Sequence, residues 1–231
     1  MGSAYLIFWK IGPIFFQKHR IQSQPRQAAR PLFEISYSLL TIGVQTLCLW
    51  LIQGTFDFYS GFLARGWGPL ILGFATYVLI YDAYFYFSHR WLHTPWLYRQ
   101  VHIVHHRSQN PTPFASYSFH PIEALINLLY LFLVLAIVPM SWELFLVLLV
   151  LTDLGNLMGH LGFDFLPRGM WNQWWGRWLT TPTHHNLHHQ TPHFNFGLYW
   201  RGWDLWLKTI NPKTEAEFLR IKSQSSEPKT S

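Results

Sequence analysis

Apolar residues along this 231-residue chain gather into long runs, separated by polar stretches rich in His, Trp and Arg. The run from Pro31 to Gln53 carries one charge, Glu34, and that from Gly68 to Phe87 carries only Asp82. Both are long enough to cross a bilayer, because about 20 helical residues at ~1.5 Å each match a hydrocarbon core of roughly 30 Å. Pro121 to Val138 and Ser141 to Leu161 form a second pair, joined at Pro139-Met140 and free of Lys and Arg, which predicts a helical hairpin. Ala4 to Phe16 is shorter, is interrupted by Lys10 and Pro13, and is expected to lie in the headgroup layer. The predicted fold is all-α: an integral membrane protein of about four transmembrane helices, with the polar stretches forming a histidine-rich helical cap.

Composition supports this against a soluble globule. Half of the residues are hydrophobic, 19% are aromatic and only 12% are charged, where a soluble domain carries about 25%. The net charge of +6 suits nucleic acid or an anionic membrane surface. The basic residues flank the apolar runs, so the membrane is the expected partner and nucleic acid is not. Sixteen of the 17 Lys and Arg fall on one side of the four spans, with only Arg65 on the other. The positive-inside tendency makes that side cytosolic, with both termini, and brings the 12 histidines of His89 to His120 and His160 to His193 together there.

Cys48 is alone, which excludes an intrachain disulfide framework. No signal-peptide pattern opens the chain, so insertion is expected to rely on the internal runs. Trp171, Trp174, Trp175 and Trp178, with Arg168 and Arg177, suit a membrane interface. Beyond Lys213 the composition predicts a solvated helix end and a disordered tail. The chain therefore divides into a basic interfacial segment (1–30), a membrane domain (31–212) and a polar tail (213–231).

The histidines carry the chemistry. His89 and His93 are four residues apart, on one face of a helix and about one turn from each other. His102, His105 and His106 form an H-x-x-H-H set that recurs as His185, His188 and His189. Eight clustered imidazoles would repel one another if protonated and would leave many ring nitrogens unpaired if neutral. Bound metal removes both problems, since each neutral ring gives one nitrogen to the ion and its other N–H to an acceptor. Eight or more ligands exceed what one tetrahedral zinc takes, so two ions sharing the set is the economical reading. Imidazole alone does not choose among Zn, Fe, Cu and Ni. The H-E-x-x-H motif of a hydrolytic zinc site is absent, as are nucleotide-binding glycine motifs, which leaves redox chemistry with open metal positions.

Other polar residues are candidates for the same site. His120 opens the third span and His160 closes the fourth, both at the depth of the clusters, and His184 adjoins His185; all three are candidate ligands. Asp82, two helical turns before His89, is placed to accept a ligand N–H. Arg90, Asn156, Asn195 and Asp204 either hold ligands in place or serve the fold.

With these residues the stretch from about Asp82 to Thr209 resembles the fatty acid hydroxylase superfamily, which includes sterol desaturases, methyl-sterol oxidases, fatty acid hydroxylases, alkylglycerol monooxygenase and carotenoid hydroxylases. The likeness rests on Asp82 to His93, the set at His102, His120-Pro121-x-Glu123, the isolated His160, Thr181-Pro182 with His184-His185-x-x-His188-His189, Asn195-Phe196-Gly197 and Trp203-Asp204 ending in Lys208-Thr209. One departure is that ending, where the family usually has an aromatic and a glycine before the threonine. The resemblance implies two iron ions, for which zinc can substitute in a crystal, with O2 as oxidant and a lipid as substrate. It further implies that His89, His93, His102, His105, His106, His160, His185, His188 and His189 are the ligands. No flavin, haem or nucleotide fingerprint is present, so a separate electron donor (cytochrome, ferredoxin or reductase) is expected on the basic surface, with Arg99, Arg107 and Arg177 as contacts. Two other readings compete: a histidine-rich metal transporter, and a structural protein whose cap is held by zinc.

Overall fold

The structure, a computed structural model, describes residues 1–22 and 31–226. Among them every regular element is helical. Four apolar helices succeed one another: α1 (Pro31–Thr55), α2 (Trp67–Leu92), α3 (Pro121–Ile137) and α4 (Trp142–Gly159). Three of these, α1, α2 and α4, are long and apolar enough to cross a membrane, whereas α3 is shorter at 17 residues. The starts follow from sequence. Pro121 occupies the first turn of α3, and the Ser141 hydroxyl caps α4 by accepting from Leu144 N at 3.1 Å. Helix α2 continues more than a turn past its apolar run and carries His89 with it, since no breaker intervenes before Pro95.

Helix α3 packs between α1 and α2, and α2 also meets α4. Their shared core includes Ile52, Tyr77, Tyr130, Leu131 and Phe145. Buried tyrosines need partners, and Tyr77 finds two, Tyr130 OH at 2.8 Å and Thr152 Oγ1 at 2.9 Å. The outer faces are apolar and exposed, with Leu39, Trp50, Ile71, Leu79, Leu133 and Val150 among them. A belt of this extent is matched by lipid and not by water. The chain is an integral membrane protein.

The lone charges of the first two runs tie the spans to the cap. Glu34 is buried and accepts from Ser108 Oγ at 2.6 Å and from the Thr112 hydroxyl. Asp82 accepts from Trp200 N at 3.1 Å and Trp203 Nε1 at 2.9 Å. It does not receive a ligand N–H as expected. Two helical turns amount to about 10 Å, so it lies too deep for the His89 ring and holds the Trp200–Trp203 segment instead.

The cap is built on α5 (Pro182–Gln190) and α6 (Thr214–Ser226). Here the structure departs from the solvated helix end expected beyond Lys213. Phe218 and Ile221, three residues apart on one face of α6, are fully buried, and Phe218 stacks on Trp171 with centroids 5.0 Å apart. Trp171 is thus a core residue, while Trp174, Trp175 and Trp178 are exposed as an interfacial cluster would be. Residues 23–30 and 227–231, which complete the expected terminal segments, lie outside the described residues.

Lys222 on α6 pairs with Asp164 at 2.9 Å, both side chains buried, and Asp164 also accepts from Thr183 Oγ1 of α5 at 2.6 Å. Removing one partner of a buried pair strands the other charge, at a cost of about 3–5 kcal/mol. Lys222→Ala is therefore expected to lower the thermal unfolding midpoint in detergent markedly. An unchanged midpoint would show that α6 does not secure α5.

Candidate metal centre

Four chain segments deliver the histidines, one of them the end of α4, where His160 terminates the helix. The end of α2 presents His89, with His93 as the residue that terminates the helix. A π-helical turn, Tyr98–His102, runs into a short α-helix, Ile103–His106, and turns this set inward; such wide turns recur at functional sites. Thr181 caps helix α5, its hydroxyl accepting from His184 N at 3.1 Å, and every residue from Pro182 to His189 is buried.

The nine histidines form two groups. His89, His93, His102, His106 and His188 converge in one, and His105, His160, His185 and His189 in the other, with one candidate ligand atom per residue lying within 4.8 Å of the rest of its group. Helix geometry explains the partition. In each H-x-x-H-H set the residues four apart lie about 40° from each other, and the remaining one is turned about 100° from the histidine that follows it. His102 and His106 thus enter the first group while His105 enters the second. On α5 the pair His185 and His189 enters the second, and His188 crosses to the first. Both sets bridge both groups, which keeps them adjacent: the rings of His105 and His189 are 4.7 Å apart and those of His106 and His189 are 4.9 Å apart.

The spacing within each group fits an ion. His93 Nε2 is 3.3 Å from His89 Nε2 and 3.1 Å from His188 Nε2, which is 3.1 Å from His106 Nε2. In the second group the Nε2 atoms of His160, His185 and His189 form a triangle with sides of 3.1, 3.2 and 3.3 Å. Ligand nitrogens about 2.0–2.1 Å from a shared first-row ion lie roughly 2.8–3.4 Å from one another. His102 Nε2 is buried with no hydrogen-bond partner, as suits a nitrogen reserved for metal.

The outer nitrogens fix the ring orientations. His89 Nδ1–H donates to Phe196 O at 2.9 Å, His188 Nδ1–H to Phe194 O at 2.6 Å, and His160 Nδ1–H to Asn156 O at 2.7 Å. His102 Nδ1–H donates to Glu123 Oε1 at 2.7 Å. A carbonyl can only accept, so these partners put the proton on Nδ1 and leave the Nε2 lone pair facing inward. Burial, reinforced by neighbouring imidazoles, pushes His102, His105, His106, His185, His188 and His189 well below the usual histidine range. It takes His160 down to about 4. The rings are neutral at physiological pH, as metal ligands must be.

The other expected residues are placed elsewhere. His120 stands outside both groups and caps α3, its Nδ1 accepting from Ile122 N at 3.2 Å. His184 points away from its neighbour's group, with Nε2 3.3 Å from Asp204 Oδ2. Consecutive helix residues differ by about 100° in direction, so adjacency to His185 does not bring His184 to the centre. Asn156 contributes through its backbone carbonyl, while its Nδ2 donates to Ser116 O at 2.5 Å. Asp204 accepts from Phe196 N and Gly197 N, both at 2.9 Å, and so steadies the carbonyl that holds His89. Burial alone would raise its carboxyl, but the nearby His184 imidazole, the Gly197 N–H and the Thr209 hydroxyl outweigh that and hold it below the usual range. Asn195 adopts a left-handed backbone (φ 62°), and its amide donates to His184 O at 3.0 Å. Glu123 is the residue that the ligand search by sequence passes over. Its signal is an acidic side chain in the first turn of an apolar helix.

Residues 74–209 match the fatty acid hydroxylase family. The chain belongs to this family. As a fatty acid hydroxylase family member it is an oxidoreductase that acts on lipids. Lathosterol oxidase of Rattus norvegicus is 28% identical to it over 212 residues, covering 87% of this chain and 69% of that protein. A Delta(7)-sterol 5(6)-desaturase of Gibberella zeae is 27% identical over 201 residues, covering 84% of this chain and 61% of that protein. That of Saccharomyces cerevisiae is 30% identical over 140 residues, or 61% of this chain and 36% of the yeast protein. No solved structure matches.

In this family member the two groups look onto one pocket among α1, α2, α3 and α4. His89 and His102 of the first group line it, as do His105 and His185 of the second. Away from them its wall passes to Tyr81, Phe85, Leu128 and Leu149.

Proposed function

We propose that this protein is a membrane-bound non-haem di-iron oxidoreductase that uses O2 and two external electrons to hydroxylate or desaturate a C–H bond of a lipid, in the sterol class named by its relatives. The observation that carries the reading is the pair of interlocked all-histidine groups facing one shared pocket between membrane helices. A transporter would distribute ligands along the spans, whereas these gather at one end of the helices. An unactivated C–H bond offers no acidic proton to a side-chain base, and two bound iron ions supply the oxidising chemistry that residues lack.

The chain's own part is to place and to exclude. His89, His93, His102, His106 and His188 would hold one ion, and His105, His160, His185 and His189 the other. Phe194 O, Phe196 O, Asn156 O and Glu123 keep the rings aimed. The apolar wall receives the lipid and keeps bulk water from the reacting carbon. Hydroxylation consumes RH, O2, two electrons and two protons and yields ROH and water; desaturation yields the alkene and two waters. The electrons come from a separate protein that docks on the cytosolic face, where Arg99, Arg107 and Arg177 are exposed.

Lipid extracts of a host with and without the gene test this reading. A lipid heavier by 16 Da or lighter by 2 Da, dependent on O2 and on about two irons per purified chain, is expected. Unchanged lipids, or vesicle uptake of metal without oxygen consumption, would overturn it.

A further inference from the structure

The pocket that meets the histidines also holds polar side chains that the centre does not use. Thr41 and Gln45, one turn apart on α1, line it together with Tyr117 and with Asp153 of α4. Tyr117 interacts across this pocket with both the Asp153 carboxylate and the Gln45 amide. Thr41 differs from the other hydroxyl residues of its helix. Ser36, Thr46 and Thr55 each donate to the carbonyl four residues earlier, at 2.8, 2.8 and 2.7 Å. Thr41 is only 5% exposed, and its buried hydroxyl has no hydrogen-bond partner.

Polar groups inside a membrane are costly and rarely left idle. A carboxylate with lone pairs to spare, an amide and an unpaired hydroxyl together can serve a ligand that both donates and accepts. We infer that Thr41, Gln45, Tyr117 and Asp153 form the recognition site for a neutral hydroxyl on the lipid substrate. The inference deepens the lipid-oxidation reading and rests on it. The ligand hydroxyl donates to Asp153 and accepts from Thr41 or Gln45. A fatty acid carboxylate has no proton to give and meets Asp153 as a like charge; an ester offers acceptors only.

The placement also limits where the lipid is attacked. Asp153 precedes His160 by seven residues, about 10 Å along a helix. The oxidised carbon then lies within roughly that distance of the hydroxyl, which suits a compact ring system better than the far end of a long acyl chain.

The test is equilibrium binding of three probes to the full-length, iron-loaded protein in nanodiscs: lathosterol, its 3-methyl ether, and stearic acid. The ether keeps the shape and an acceptor but cannot donate. Lathosterol is expected to bind at least ~10-fold more tightly than the ether, the value of one well-made hydrogen bond to a charged group. Asp153→Asn should cut that preference several-fold while leaving ether affinity unchanged, which shows that the variant is folded, and Thr41→Val, which removes a donor that alcohol and ether share, should weaken both alike and leave their ratio as it was. Equal affinity for alcohol and ether, tighter binding of stearate, a preference that survives Asp153→Asn, or no binding of any probe would each overturn the proposal. The readout does not depend on turnover. Lipid oxidation without alcohol preference sinks this site alone, and alcohol preference without oxidation sinks the reaction alone.

Discussion

Replacing His105 by alanine is expected to remove one of two irons per chain and to reduce lipid turnover by more than about 100-fold, beyond what the loss of a supporting hydrogen bond costs. His105 belongs to the smaller group, so its loss leaves three imidazoles there, His160, His185 and His189. It also borders the pocket, so the deficient ion is one that faces the lipid. Elemental analysis of the purified variant, read beside O2-dependent turnover, checks both halves. His120→Ala is the informative control. His120 caps α3 and lies outside both groups, so this variant should lose about 1 kcal/mol of stability, the value of a cap, and keep both irons. Full iron content in His105→Ala, or iron loss in His120→Ala, would contradict the assignment of ligands by group.

How much of this centre is legible in the sequence depends on the kind of contact. The repeated H-x-x-H-H spacing, with His89 and His93, points to metal because helix periodicity places residues four apart on one face. The partition is harder to read. It depends on where each short helix points, and a π-helical turn before His102 sets that direction without any residue-type signal. His120 and His184 show the limit of reading by proximity along the chain: one caps a helix, and the other is rotated toward Asp204. Two of the groups that orient ligands are the carbonyls of Phe194 and Phe196, and a backbone atom leaves no mark on composition.

The membrane part follows the same logic. Runs of apolar residues are legible because lipid imposes a length. Asp82 and Glu34 are legible as costly, but their partners are not. Each is satisfied by a segment distant in sequence, Trp200–Trp203 for one and Ser108 with Thr112 for the other. In both cases a charge within an apolar run fastens the cap to the helices. The polar composition beyond Lys213 hides the opposite case, since two apolar residues on the right face, Phe218 and Ile221, suffice to dock a helix.

Glu123 provides the second large effect, and it separates the two ions from the other side. Its Oε1 accepts from His102 Nδ1 at 2.7 Å with both side chains buried. Glu123→Ala leaves that N–H without a partner in a dry site and frees the ring to turn, so metal affinity or turnover should fall by about 10–100-fold. Glu123→Gln keeps a carbonyl oxygen as acceptor but loses the charge. A neutral hydrogen bond has roughly half the strength of a charge-assisted one, so this variant should fall between the parent and alanine. His102 belongs to the five-histidine group, so the iron lost from Glu123→Ala on dialysis against a chelator should be the one that His105→Ala retains. Combining Glu123→Ala with His105→Ala should then leave the chain nearly free of iron. Parent-like retention in Glu123→Ala would show that His102 is held by its helix alone, and it would remove the carboxylate from the centre.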